Sequence, residues 1–247
     1  MLFRDARLKI DRAEKHIAEA DERIDLITGP NSQTSRIEIH AEARVKSVHY
    51  RLERLGDLPE LACVIGDGIH NLKTALDYAW FQTVASLAPG VKGRPKFPIY
   101  PSADQLMNAL ADNGISAATP TLADFMLTKI KPYDGGNFYL RPLHKLDIQD
   151  KHELLIPSTN YGNVSGLKVK NQHGSVTGNS WGQELAGDFH IDFALDVEIE
   201  DKGYVPFGIV FKEGPLKNMQ VSHILKEFSG TVLGIVEVLE KFSETAI

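Results

Sequence analysis

Twelve consecutive residues bring together side chains that can exchange protons or bind a metal ion. This first motif runs Gly66-Asp-Gly-Ile-His-Asn-Leu-Lys-Thr-Ala-Leu-Asp77. Residues three, four or seven positions apart share one face of an α-helix, so the motif predicts a polar stripe. The stripe comprises Asp67, His70, Asn71, Thr74 and Asp77, and Lys73 lies beside it. An Asp that orients a His and tunes its pKa is suited to general acid–base chemistry.

A second motif further along the chain contains the same kinds of side chain. It runs Arg141-Pro-Leu-His-Lys-Leu-Asp-Ile-Gln-Asp-Lys-His152. On a helix, one face would hold His144, Asp147 and Lys151, flanked by Asp150 and His152. A structural network is the alternative, in which Lys151 pairs with Asp147 and His144 bonds the backbone.

Together the motifs suggest a hydrolase that acts on a phosphoester or a similar polar substrate. In this hypothesis a His is the general acid or base, an Asp orients it, and a Lys stabilises developing negative charge. The candidate catalytic residues are His70, Asn71, Lys73, Asp77, His144, Asp147, Lys151 and His152. His and carboxylate side chains would also suit a divalent metal, but neither spacing identifies a metal or any other cofactor.

Three non-catalytic interpretations remain open. The polar stripe of the first motif could be the solvated side of an amphipathic helix. The motifs could be contact surfaces of a binding or accessory protein, or they could tie helices together through buried hydrogen bonds. His, Asn, Thr and Asp are weaker helix formers than the Lys, Glu, Gln and Arg of ordinary solvated faces, which favours partners for them. Gly66 and Gly68 cost helix stability and allow another segment or a ligand to approach closely.

The order of motifs resembles that of a widespread group of uncharacterised bacterial proteins. The matching segments are the first motif, then Phe97-Pro-Ile, Lys131-Pro-Tyr and Leu143-His-x-Leu-x-x-x-Asp-Lys-His152. The usual form of the first motif in that group is H-N-L-R-S-A-L-D-H, and this chain differs at Lys73, Thr74 and Tyr78. The resemblance covers residues 5–158 and supplies no activity. It implies that the two motifs occur as a pair, so we expect them to meet in space.

A third match is the spacing Arg44-x-x-x-x-His49, which resembles the Arg–His motif of the HEPN ribonucleases. That motif lies on a helix of a helical bundle. Here the spacing of apolar residues across 35–56 fits either a helix or two strands with a turn near residues 46–47. The β-branched residues and the preceding polar loop favour the two strands. The context therefore argues against this activity.

The remaining pattern predicts an α+β fold, with an antiparallel sheet packed with a long central helix and with N- and C-terminal helices. The predicted helices cover residues 3–28, 59–88, 102–111, 121–130, 141–153 and 218–243. Further strands are predicted over 153–158, 188–198 and 204–212, and strands and turns over 159–186. We expect residues 1–247 to form a single compact domain, with an internal boundary near residue 158 as the alternative.

The composition is that of an ordinary globular protein, with 43% hydrophobic residues. The formal charge is −6, so there is no electrostatic case for a nucleic-acid partner. No apolar run is long enough to span a membrane, and the charged N-terminus does not resemble a secretory signal. The single cysteine, Cys63, excludes an intramolecular disulfide and is expected to be buried. A cytoplasmic protein with a small polar ligand is predicted, and its oligomeric state is unknown.

Overall fold

The structure is a computed structural model that describes residues 3–91, 93, 95–155, 157–161, 164–171, 174–178 and 188–245. Within the predicted strands and turns of 159–186, residues 162–163, 172–173 and 179–186 lie outside the described residues. Residue 156 of the predicted strand 153–158 also lies outside them.

The chain divides into two compact units. The helical unit comprises Met1–Glu19, Cys63–Leu155 and Ser222–Ile247, and the strand unit comprises Ala20–Ala62 and Ile156–Val221. One division falls after Leu155, close to the alternative boundary near residue 158, where predicted helices give way to predicted strands. The expectation of a single compact domain stays a prediction.

Seven α-helices are described. They are α1 (Arg4–Thr28), α2 (Leu58–Leu87), α3 (Ala103–Asp112), α4 (Ile115–Ala118), α5 (Pro120–Phe125), α6 (Leu140–Asp150) and α7 (Val221–Thr245). Short 3-10 helices cover Pro30–Ser32, Leu55–Asp57 and Gly214–Leu216, and a π-helical turn, Met126–Ile130, continues α5. The helices predicted over 3–28, 59–88, 102–111 and 218–243 are confirmed. Ser102 is the N-cap of α3, since its hydroxyl accepts the Gln105 backbone N–H.

Helix α2 owes its position to one continuous apolar stripe. Its fully buried members recur every three or four residues: Leu61, Ile65, Ile69, Leu72, Leu76 and Trp80. Helical spacing predicts an apolar stripe along residues 3–28 that includes Leu8 and Leu26. That part of the prediction was wrong, because both side chains are more than half exposed in α1. Small residues complete the buried face of α1 instead, at Ala6, Ala13 and Ala20. Cys63 was also predicted wrongly and is exposed.

The helical unit is held together by aromatic contacts and by a long-range ion pair. The rings of Phe125 and Phe242 lie 4.5 Å apart, and Tyr139 meets Phe228 edge-on at 6.1 Å. Arg7 donates to Glu240 at 2.6 Å, so α1 and α7 are joined near the chain ends.

Among its described residues, the strand unit contains three small antiparallel sheets. The strands are β1 (Gln33–His40), β2 (Val45–Leu52), β3 (Ser158–Tyr161), β4 (Leu167–Asn171), β5 (Gly174–Gly178), β6 (Asp188–Ala194), β7 (Glu198–Asp201) and β8 (Phe207–Val210). The strand orders are β1-β2-β6, β3-β8 and β5-β4-β7. The strands predicted over 188–198 and 204–212 are present but shorter, as β6 and β8.

Two strand predictions were wrong in their boundaries. The turn between β1 and β2 occupies residues 41–44, with Arg44 at φ 54°, and residues 46–47 lie inside β2. The predicted strand 153–158 is replaced by β3, which begins at Ser158 and pairs with β8. Pro157 precedes it and has no N–H to donate to a ladder.

The sheet β1-β2-β6 has one apolar and one polar face. Val48, Tyr50 and Leu52 alternate along β2 and enter the core of the strand unit with Phe189 and Ile191 of β6. The intervening residues, which include Ser47, His49 and Arg51, belong to the opposite face. Strand alternation therefore places polar side chains from three strands side by side.

The α+β class is confirmed, with antiparallel sheets, a long central helix and helices at both ends of the chain. Among the described residues, no helix combines the length and the apolar composition that crossing a bilayer requires.

Candidate functional site

The two motifs meet within the helical unit. His70 in α2 and Asp147 in α6 are hydrogen-bonded, with 2.9 Å between Nδ1 and Oδ1. Lys151, directly after α6, donates to the other oxygen of Asp147 at 2.6 Å. One carboxylate therefore joins a histidine from the first motif to a lysine from the second.

Burial is uneven across these three side chains. Asp147 is 4% exposed, whereas His70 and Lys151 are 52% and 49% exposed. A buried carboxylate bonded to Nδ1 fixes the ring orientation and leaves Nε2 as the free imidazole nitrogen. This is the arrangement by which an Asp prepares a His for proton transfer.

Asp150 completes this group, and the four residues His70, Asp147, Asp150 and Lys151 are called the acid–base cluster below. Burial raises the pKa of Asp150, and the negative charges of Asp67 and Asp147 raise it further. His70 and Lys151 act in the opposite direction. The cluster therefore contains one carboxyl with a raised pKa beside one that is hydrogen-bonded to His70 and Lys151.

The close approach of Asp150 explains a glycine in the middle of α2. A Cβ built on Gly66 would lie 2.2 Å from Asp150 Oδ1, far inside contact distance. Gly68 is different, because its nearest neighbour would be His16 Cβ at 3.6 Å, an ordinary contact. The expected close approach of another segment thus occurs at Gly66, and the segment is the second motif.

Lys73 and Asp77 form a separate, more buried pair. Asp77 Oδ1 accepts from Lys73 Nζ at 2.5 Å and from the Phe97 backbone N–H at 2.8 Å. The Lys73 side chain is 6% exposed and that of Asp77 26%. Phe97 also meets Trp80 edge-on, with 6.1 Å between the ring centres. These contacts join α2 to the segment that precedes α3.

Asn71 joins α2 to α1 and is also buried. Its side-chain amide donates to the Asp67 carbonyl at 2.8 Å, and its oxygen accepts from Lys9 Nζ at 3.0 Å. His152 is exposed after the end of α6, and its backbone N–H donates to Gln149. The structure thus places Asn71 in a helix–helix contact and His152 on the surface.

His144 is half-buried, and its Nδ1 has no hydrogen-bond partner in the described part of the chain. Burial lowers its pKa, as do the positive charges of Lys73 and Arg141. Asp147 and Asp77 oppose this effect. His144 is therefore near Lys73, Asp77 and Asp147, and the net effect of its surroundings lowers its pKa.

A different group of residues has the geometry of a metal site. The ligand atoms of Glu38, His40 and His49 all lie within 4.8 Å of one another, and among the described residues they form the only such group of three His, Cys, Asp or Glu side chains. We call it the hairpin cluster, because it spans β1 and β2. Sequence reasoning missed it, although Glu38 and His40 alternate on a predicted strand.

The Arg44–His49 match does not have the context of the HEPN motif. Arg44 lies in a turn and His49 on β2, so the two are not on a helix. This agrees with the strand prediction and removes the structural basis for that resemblance.

No protein-family model, curated protein or solved structure matches the chain. The resemblance to bacterial proteins with paired motifs therefore stays an expectation, and function has to be argued from the geometry of this chain.

Proposed function

We propose that this chain is a hydrolase of a phosphoester or similar polar substrate, and that the acid–base cluster carries the reaction. The supporting observation is the bond between buried Asp147 and half-exposed His70. Because Nδ1 is engaged, Nε2 is the nitrogen that can take a proton from water. Proton transfer of this kind contributes about 100-fold to 10,000-fold to a rate.

The roles follow from position and charge. His70 removes a proton from water as the oxygen attacks the phosphorus or carbonyl carbon. Asp150, whose pKa is raised above the ordinary carboxyl value by burial, gives a proton to the leaving oxygen as its bond breaks. Lys151 stabilises the negative charge that develops on the substrate. Exchange with solvent restores both proton carriers.

The carboxyl groups around the acid–base cluster favour some substrates over others. Asp67, Asp147 and Asp150 supply three carboxyl groups near one ammonium, that of Lys151. A phosphate dianion would be repelled by this surplus of carboxylates, so a phosphodiester or a neutral ester suits the cluster better than a phosphomonoester.

The non-catalytic alternative is favoured by Lys73, Asp77 and Asn71. Their bonds to Phe97, Lys9 and the helix backbone are internal, which is the geometry of a structural network. We therefore propose that these three residues stabilise the helical unit and that the acid–base cluster alone carries the reaction.

The test is hydrolysis by the full chain of bis(p-nitrophenyl) phosphate, p-nitrophenyl phosphate and p-nitrophenyl acetate. We expect His70→Ala to lower kcat/KM at least about 100-fold and to remain folded in a urea titration. Lys151→Ala is compared with Lys145→Ala, an exposed lysine of the same helix region, and only the former should slow the reaction. Wild-type rates no higher than those in buffer, or full activity in His70→Ala, would refute the proposal.

A further inference from the structure

The hairpin cluster is built by strand register. Glu38 and His40 are two positions apart on β1 and so share one face of the sheet. His49 on β2 is paired with Arg36, the neighbour of Glu38 on that same face. The three side chains therefore converge from two adjacent strands, and all of them belong to the strand unit.

The distances match those between ligands of one small metal ion. His49 Nε2 and His40 Nε2 lie 3.2 Å and 3.7 Å from the same oxygen, Glu38 Oε2. Tetrahedral zinc with bonds of about 2.05 Å separates its ligand atoms by about 3.3 Å. Both His–Glu separations are within a few tenths of an ångström of this value. The ligand atoms of His40 and His49 lie within 4.8 Å of each other and would have to approach to a similar distance for one ion to contact all three atoms.

The local bonding agrees with this arrangement. His49 Nε2 is shielded from solvent and makes no hydrogen bond among the described residues, although Glu38 Oε2 is near it. The other oxygen of Glu38 accepts from Arg36 at 2.8 Å. That contact orients the carboxylate and leaves Oε2 directed at the imidazoles, as outer-shell partners do in metal sites.

A cavity adjoins the cluster on the polar face of the sheet. Its volume is about 390 Å³, and its lining includes Arg36, His49, Arg51 and His190. His49 is thus shared between the cluster and the cavity, and its ring stacks on His190 at 5.2 Å. Three protein ligands leave a fourth position open, which is typical of zinc sites that bind water or a ligand.

We propose that Glu38, His40 and His49 bind one Zn²⁺ ion through Oε2 and the two Nε2 atoms. The fourth position takes water, or an anion held beside Arg36 in the cavity. This site is independent of the acid–base cluster and of the proposed hydrolysis.

Calorimetric titration of ZnCl₂ into the chelator-treated full chain tests the proposal. We expect one equivalent to bind, and the affinity to fall at least tenfold in His40→Ala, His49→Ala and Glu38→Gln. His223→Ala, which removes an exposed histidine of α7, should bind as the wild type does. Arg36→Gln keeps every ligand and should weaken binding by about tenfold through loss of orientation.

Circular dichroism and a urea titration of each variant separate lost binding from lost folding. His40 is exposed near the hairpin turn, so His40→Ala remains a fair test if His49→Ala unfolds. The absence of saturable zinc binding in the wild type overturns the proposal. So does binding by His40→Ala that equals the wild type, or an equal loss in His223→Ala.

Discussion

Two Lys–Asp pairs of the helical unit have nearly the same length and opposite burial. Lys73 Nζ lies 2.5 Å from Asp77, and Lys151 Nζ lies 2.6 Å from Asp147, each four positions away in sequence. In the α2 pair the lysine is the buried member. In the α6 pair the aspartate is buried and the lysine is half-exposed.

The comparison shows that the buried member decides what a pair can do. A buried ammonium needs its carboxylate, since losing the partner leaves a charge away from water. A buried carboxylate with half-exposed partners keeps those partners accessible to solvent and to a ligand. The same pair of residue types therefore gives a structural tie in α2 and a candidate reactive site at the end of α6.

Asp77→Ala should have the largest effect on stability. It leaves the Lys73 ammonium and the Phe97 N–H without an acceptor, and breaking such a buried pair costs about 3–5 kcal/mol. The free energy of unfolding from a urea titration measures this loss. Lys73→Met combined with Asp77→Ala should recover part of it, because the buried charge is then gone.

Asp147→Ala is the matched variant in the other pair. Water can solvate half-exposed His70 and Lys151 after the change, so we expect a smaller loss of about 2 kcal/mol. A loss of stability equal to or greater than that of Asp77→Ala would contradict the claim that the pair with the buried lysine is the more costly one to break.

The two glycines of the first motif test whether Asp150 packs against α2. Gly66→Ala places a methyl group against the Asp150 carboxylate and should destabilise the protein by about 1 kcal/mol, even after the gain in helix propensity. Gly68→Ala has room and should stabilise it by about 0.5–1 kcal/mol. In an Asp150→Ala background, Gly66→Ala should become stabilising too. If Gly66→Ala stabilises the wild type, Asp150 does not pack as described.

The smallest effect concerns pH. The folded state raises the pKa of Asp150 above the ordinary value of 3.8, so the folded protein binds this proton more tightly than the unfolded chain. Stability from this group is full below the ordinary carboxyl pKa and falls as pH rises through the folded value. Asp150→Asn stays neutral and should gain stability over wild type at pH 7, with less gain at pH 4. Urea titrations at both values check this, and a gain that grows toward acid would contradict it.

The sequence predicts the residues of the acid–base cluster better than those of the hairpin cluster. Helical spacing is enough to place His70 on the polar stripe of α2 and to put Asp147 and Lys151 on one face of α6. The burial of Lys73 could not be predicted, because a lysine on a polar stripe is normally solvated and its partners come from tertiary packing. The reason for Gly66 likewise needs the position of Asp150.

The hairpin cluster depends on the pairing register of β1 and β2. A short sequence motif does not determine that register. The predicted turn near residues 46–47 would pair His49 with Arg44, far from Glu38. The observed turn at 41–44 pairs His49 with Arg36 and brings it beside Glu38. An error of a few residues in the turn position changes the strand register. The sequence analysis therefore did not place His49 beside Glu38 and His40.

The most direct test of the acid–base assignment is hydrolysis per folded molecule by Asp147→Asn, with Lys145→Ala as the control. The substrates are bis(p-nitrophenyl) phosphate and p-nitrophenyl acetate, and the folded fraction comes from the same samples. We predict a fall in kcat/KM of at least about 100-fold for Asp147→Asn and wild-type activity for Lys145→Ala. Unchanged hydrolysis by folded Asp147→Asn would show that His70 does not depend on this carboxylate and would contradict the assignment.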